Sequence, residues 1–177
     1  MKILTISGSL RTKSSNTAVL QAVEILAPAA TEIIFYSELA NLPHFNPDLD
    51  RQPLPNSIAS LRKQIKSCDG ILISSPEYAH GVPGSLKNLL DWLVSSIEFP
   101  GKPVAMINTN PRATIALASL KEILITMSAQ IIEPANITLA ITGRNLDAKK
   151  IAADLELSRS LKQAIAIFTR EIAASTH

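Results

Sequence analysis

Gly70-Ile71-Leu72-Ile73-Ser74-Ser75, followed by Pro76-Glu77-Tyr78-Ala79-His80-Gly81-Val82-Pro83-Gly84 and then Ser85-Leu86-Lys87-Asn88-Leu89-Leu90-Asp91-Trp92, decides the fold. The first piece is nearly all apolar, without alternation, the pattern of a strand covered on both faces and hence of a parallel sheet flanked by helices. The last piece spaces Leu86, Leu89, Leu90 and Leu93 at helical intervals, which predicts a helix over Gly84 to Ser96. The loop between them holds two prolines and two glycines and is rigid.

The same unit repeats on either side. Upstream, Lys2 to Ser7 reads as a buried strand ending at Gly8, and Asn16 to Ala27 as a helix stopped by Pro28. Glu32 to Tyr36 and Asn56 to Lys66, with Ile58, Leu61 and Ile65, form a second pair. Downstream, Pro103 to Asn108 and Ala113 to Ser128 form a fourth. Ile137, Leu139 and Ile141 then alternate with Thr138, Ala140 and Thr142 as a half-exposed fifth strand, and a last helix falls within Asp147 to Ala174. Strands alternating with helices give an α/β fold: a doubly wound, five-stranded parallel sheet in the order 2-1-3-4-5, helices on both faces, residues 1 to 177 forming one domain. In that order the switch point lies between strands 1 and 3, and ligands are expected beyond their carboxyl ends. Ser37 to Pro55, with four prolines, is too long for a simple turn and is expected to line a site or an interface.

Composition narrows the function. Of 177 residues 46% are hydrophobic and 18% charged, enough for a sizeable core and too little charge for a disordered chain. The longest apolar run, Ala164 to Phe168, is far short of a membrane span. Met1 to Ser7 enters a strand at once, without the features of a signal peptide, so a cytoplasmic setting is expected. One cysteine, Cys68, and three histidines, His44, His80 and His177, offer no metal-ligand spacing. A net charge of +2 with no basic run leaves nucleic acid an improbable partner. The six glycines include no G-x-G pair, which excludes the usual dinucleotide fingerprint, and there is no Walker A loop or G-x-S-x-G elbow.

Two loops carry the chemistry. Gly8-Ser9-Leu10-Arg11-Thr12-Lys13-Ser14-Ser15-Asn16-Thr17 ends on a helix start with free N–H groups, hydroxyls and two cations, a setting for a phosphate monoester. Read alone it is equally a capped helix start, with Ser15 or Asn16 as the cap and Arg11 and Lys13 in solvent. The loop after the third strand offers amides that can approach a flat heteroaromatic ring, and Pro83 suits the first turn of a helix whose positive end favours an anionic ligand.

G-S-L-R-x-x-S-x-N after the first strand, with P-E-Y-x-x-G-x-P-G-x-L-K-N-x-x-D-W after the third, resembles the NADPH-dependent FMN reductase family of flavodoxin-like flavoproteins. The likeness takes in Leu42-Pro43-His44-Phe45-Asn46-Pro47-Asp48-Leu49 and runs over roughly residues 2 to 128. It implies FMN as cofactor and NADPH or NADH as co-substrate. It further implies that Ser9, Arg11, Ser15 and Asn16 hold the phosphate, and that Pro76, Glu77, Tyr78, Ala79 and Gly81 surround the isoalloxazine. Many members have Asn at the place of Ala79, and serine is common at the place of Asn110, the residue carried over from the turn Thr109 to Thr114. Arg112 is a candidate 2′-phosphate contact.

The expected activity is hydride transfer from nicotinamide to flavin, then two-electron reduction of a flavin, quinone, azo compound or metal oxyanion. No catalytic side chain is required, because the flavin carries the chemistry. The alternatives are a flavodoxin-type electron carrier, usually far more acidic, and a non-catalytic flavin-binding protein. The family implies a homodimer or homotetramer. Leu89, Trp92 and Leu93 are core or subunit interface, Cys68 a packed residue, His80 an exposed loop residue, and Arg62, Lys63 and Lys66 a solvated helix face.

Overall fold

The run that opens on Gly70 is the middle of the sheet. In the computed structural model, which describes residues 1–175, strands β1 (Lys2–Ser7), β2 (Glu32–Phe35), β3 (Gly70–Ser74), β4 (Pro103–Asn108), β5 (Gln130–Ile131) and β6 (Ile137–Thr138) are all parallel. Their order is β2-β1-β3-β4-β5, with β6 also on β4. The helices are α1 (Ser15–Leu26), α2 (Asn56–Ser67), α3 (Gly84–Leu93), α4 (Ile115–Thr126), α5 (Ala148–Ala153) and α6 (Leu155–Ser175).

Side chains of a strand alternate between its two faces, and the core divides accordingly. Leu4, Ile6, Ile71, Ile73, Val104 and Met106 face α2, α3 and α4, where Ile58, Leu61, Leu86, Leu89, Leu90, Leu120 and Leu124 meet them. Ile3, Leu72, Ala105 and Ile107 face α1, α5 and α6 through Val19, Leu20, Val23, Ile151, Leu161, Ile165 and Phe168. Trp92 and Leu93 are fully buried in the first of these layers, so within the chain they are core, as is Cys68, whose thiol burial pushes upward. A Cβ on Gly70 would lie 2.6 Å from Ile172 Cδ1 and 2.9 Å from Phe168 Cζ, so its absence lets α6 close on β3.

Three local expectations are corrected. The fifth strand is split: Gln130 and Ile131 pair with the start of β4, Ile137 and Thr138 with its end. Pro134 has no N–H to donate, and the chain turns through a 3₁₀ segment, Glu133–Ala135. In the gap the side chain of Asn136 replaces the missing strand, its Oδ1 accepting the Met106 N–H at 2.7 Å. Leu139 and Ile141 are buried as their alternation requires, yet lie outside the strand. The last helix is two helices, because Asp154 leaves helical geometry and its carboxylate accepts from Glu156 and Leu157, starting α6 afresh. Arg62 is not solvated: its Nη2 is 2.7 Å from Asp50 Oδ1 and 2.8 Å from the Trp92 carbonyl, with both side chains largely covered.

That ion pair, with Asn88 and Trp92, fastens the long Ser37 to Pro55 connection. Asn88 accepts from the Phe45 N–H and donates to the Pro43 carbonyl, which also takes the Trp92 Nε1–H at 2.8 Å. Phe45 meets Trp92 edge-on at 5.1 Å. The connection thus braces α3 instead of lining the cleft at the strand ends. Among the described residues no helix is long and apolar enough to cross a membrane, and no group of His, Cys, Asp and Glu is arranged to hold a metal ion.

Candidate functional site

Beyond the carboxyl ends of β1, β3 and β4 lies a cleft of about 330 Å³. The turn out of β1 forms one wall. Gly8 N–H donates to the Ser74 carbonyl at 2.8 Å, and a Cβ there would stand 2.4 Å from Ser75 Oγ, so only glycine lets the two strand ends touch. Ser9 then accepts the Arg11 N–H on its hydroxyl, curling the loop so that Ser9, Arg11 and Lys13 all border the cleft.

The helix cap is Ser14, whose Oγ accepts the Thr17 N–H at 3.3 Å; neither Ser15 nor Asn16 serves. Ser14 is also the serine that the motif spacing selects. Capping there leaves the backbone N–H groups of Ser15 and Asn16 with no acceptor among the described residues, at the positive end of α1 and beside two cations. Asn16 is nearly buried, and its Oδ1 lies 2.9 Å from Ser74 Oγ and 3.2 Å from Thr109 Oγ1. Thr109 in turn joins Thr142, whose hydroxyl donates to the Thr109 carbonyl. This polar floor ties four loop origins together and leaves the amide nitrogen of Asn16 free for a ligand.

The opposite wall is Ser75, Pro76, Glu77 and Tyr78, with Asn108, Thr109, Asn110 and Ala113 between the two walls. Tyr78 is half exposed at the mouth. Its N–H donates to the Gly81 carbonyl and the Gly81 N–H donates back, so those two amides are consumed in a tight turn and are not available to a ring. Glu77 lines the cleft, but its carboxylate is turned away: Oε2 accepts the Ala116 N–H at 2.9 Å and Oε1 is 3.2 Å from His80 Nδ1. Asn110 accepts the Arg112 N–H on its side-chain oxygen and donates its own backbone N–H to Asn108 Oδ1, an interlocked turn that leaves its amide NH₂ for the cleft.

Eight of the residues expected from sequence, Ser9, Arg11, Ser15, Asn16, Pro76, Glu77, Tyr78 and Asn110, border this one cleft. Ala79 and Gly81 do not, since they form the turn beyond Tyr78; Arg112 and His80 also lie outside the lining. Gly81 needs no special space, because a Cβ there would make only an ordinary contact, 3.6 Å from the Tyr78 carbonyl. Lys13, Ser14, Ser75, Asn108, Thr109, Ala113, Thr142, Gly143 and Asn145 are additions. The polar Asn108-Thr109 pair closing an apolar strand was a readable signal. Thr142, Gly143 and Asn145 come from an irregular stretch whose positive φ at Gly143 and Asn145 no periodicity announces.

The donor set suits a phosphorylated, planar ligand. Two cations face one carboxylate whose oxygens are already occupied, and unpaired N–H groups cluster at the cationic end, so an anion there meets a net positive field. The opposite wall, Ser75 to Tyr78, supplies one aromatic, Tyr78.

The sequence model of a family described as NADPH-dependent FMN reductase matches residues 1–142, extending past the motif region. The quinone reductase of Escherichia coli K12 is 34% identical over 138 residues, covering 74% of this chain and 73% of the relative. The NAD(P)H-dependent FMN reductase PA1204 of Pseudomonas aeruginosa is 36% identical over 112 residues, 62% of this chain and 60% of its own. Among solved structures, FerB, a flavoenzyme NAD(P)H:(acceptor) oxidoreductase from Paracoccus denitrificans, superposes with a TM-score of 0.81 at 27% identity, covering 98% of this chain and 97% of its own.

Proposed function

This chain belongs to the NADPH-dependent FMN reductase family, and from that premise we propose that the cleft across β1, β3 and β4 holds FMN and reduces a small acceptor, a quinone, flavin, azo compound or metal oxyanion. That it is an oxidoreductase working with FMN and a nicotinamide cofactor follows from the family itself. The observation that carries the site reading is the meeting, in one cleft, of a loop rich in free donors and cations with the Ser75–Tyr78 wall and its aromatic Tyr78.

Bound there, FMN supplies the redox chemistry, taking a hydride from NADPH or NADH and giving two electrons to the acceptor. The chain's residues orient and neutralise. Arg11 and Lys13 balance the phosphate charge, while the Ser15 and Asn16 N–H groups and the Ser9 hydroxyl donate to its oxygens. Ser74 and Thr109 fix the Asn16 side chain, so its amide is preorganised before the ligand arrives. Asn110 borders the ring end. Tyr78 is the one aromatic in the lining, which leaves a ring face open to nicotinamide and then to acceptor. Residues 1–177 form one flavin-binding domain in this reading. A homodimer or homotetramer is proposed with it, supported by the half-exposed Ile115 and Ile125 of α4, and light scattering on an eluting peak measures the state.

The test is the visible spectrum of the purified protein, followed without oxygen by NADPH, NADH and then benzoquinone. Yellow protein, bleaching by a nicotinamide and recovery with quinone are expected. A colourless protein that takes up no added FMN refutes the site; bound FMN that neither nucleotide bleaches makes the chain an electron carrier.

A further inference from the structure

Ala79 and His80 sit at φ of 49° and 59°, the left-handed region in which a Cβ crowds the following carbonyl. They are the central pair of a two-residue turn whose flanks, Tyr78 and Gly81, exchange both backbone hydrogen bonds at 3.1 and 2.9 Å. Turns with positive φ at both central positions favour Asn-Gly or Asp-Gly, and Ala-His supplies neither. Something outside the turn must offset its backbone cost.

Glu77 immediately precedes the turn, with only 13% of its side chain exposed. Its Oε1 approaches His80 within the turn, and its Oε2 accepts the N–H of Ala116 in the first turn of α4. Thr114, at the start of that helix, makes no side-chain capping bond, so the carboxylate fills a vacant cap from 39 residues away and meets the positive end of the helix. One side chain therefore joins a strained turn to a helix terminus.

We propose that Glu77 is a positioning residue: it does not contact the flavin through its carboxylate but clamps the Tyr78–Gly81 turn to α4, and so holds the Pro76–Tyr78 strip at the geometry the flavin ring requires. The inference rests on the reading of the cleft as an FMN site. The clamp is this chain's means of keeping a turn that its own residues disfavour, and the strain at Ala79 and the clamp at Glu77 are energetically coupled.

The test is a cycle of full-length variants, E77A, E77Q, A79G and E77A with A79G, each titrated with FMN by fluorescence quenching. Glycine is chosen at 79 because it relieves the left-handed strain without adding a side chain that could touch the ring. Loss of a charge-assisted bond predicts that E77A weakens FMN binding about tenfold, with E77Q, whose amide oxygen still accepts from Ala116, weakened less. Adding A79G to E77A should recover several-fold of that loss, whereas A79G alone should change little. Hydrogen exchange on the same proteins without flavin should show faster exchange at the Tyr78, Gly81 and Ala116 amides in E77A. Unchanged FMN affinity in E77A overturns the proposal. So does a loss that A79G leaves untouched, the signature of direct ligand contact or of helix capping alone. If E77A fails to fold, the same comparison is made between E77Q and E77Q with A79G. Wild-type protein that binds no FMN refutes the cleft reading instead, and the exchange measurement then decides the clamp by itself.

Discussion

Replacing Gly8 by alanine tests whether β1 and β3 must touch where the cleft begins. The added Cβ would lie 2.4 Å from Ser75 Oγ, 2.9 Å from Ser75 Cβ and 3.1 Å from Leu86 Cδ2. The hydroxyl can rotate away, but the Ser75 Cβ is fixed to the backbone and Leu86 is fully buried. Relief must come from parting the strand ends, which stretches the 2.8 Å bond from Gly8 N–H to the Ser74 carbonyl. Overpacking of this kind costs about 1 to 3 kcal/mol, and for a chain of this length that lowers Tm by roughly 2 to 12 °C. Thermal and urea unfolding read the loss. Because Ser9 and Ser75 border the cleft on either side of the contact, an FMN titration of the same variant should show weaker binding. Gly81→Ala is the control: its Cβ meets only the Tyr78 carbonyl at 3.6 Å, so stability should stay within about 0.5 kcal/mol of wild type. A G8A protein that melts and binds like wild type, or a G81A protein that loses as much as G8A, would refute the packing argument.

Arg11→Ala should raise the FMN dissociation constant by more than about tenfold, with a shallower salt dependence than wild type, and an unchanged constant would remove the phosphate role. Arg62→Ala leaves the nearly buried Asp50 carboxylate without its partner and should cost about 3 to 5 kcal/mol in urea unfolding; a loss under about 1 kcal/mol would show that the ion pair contributes little. Tyr36, whose hydroxyl is buried without a hydrogen-bond partner among the described residues, has its ionisation pushed up to about 12 by burial and by Glu38. The folded state therefore keeps its proton where the unfolded state loses it, so stability should fall as pH rises from about 10 towards 12 by about 2 kcal/mol, and Tyr36→Phe should remove that part of the slope. Identical alkaline profiles for the two proteins would contradict it.

The strands and helices that face the core were legible because burial dictates their spacing: Ile58, Leu61 and Ile65 recur as a helix requires, and Gly70 to Ser74 is apolar because both its faces are covered. Leu139 and Ile141 show where that logic stops. Their alternation reports burial, which is correct, while the strand itself depends on a backbone donor that Pro134 lacks and a side-chain substitute that Asn136 provides. The cleft was legible at its two motif loops and dark at Thr142, Gly143 and Asn145. Those residues reach the cleft through the irregular chain after β6, where the family match ends at residue 142 and Gly143 and Asn145 lie past it. Glycines were the least readable letters, since a glycine is needed only when something lies opposite it in space. Gly8 and Gly70 meet that condition and Gly81 does not. Glu77 was legible as a member of the site but not in its task, because its partner Ala116 is remote in sequence.

The broken fifth strand has a consequence for how these molecules behave in company. An open sheet ends in rows of unsatisfied backbone donors and acceptors, a template on which another chain can add. Here the far border is cut into two pairs of residues by a proline-bearing turn, and in the gap a side chain of the same molecule has already taken the Met106 donor. At the other border β2 is four residues long and begins with Glu32, paired to Lys2. Neither border offers the long, unbroken apolar margin on which strand addition propagates, although 46% of the residues are hydrophobic.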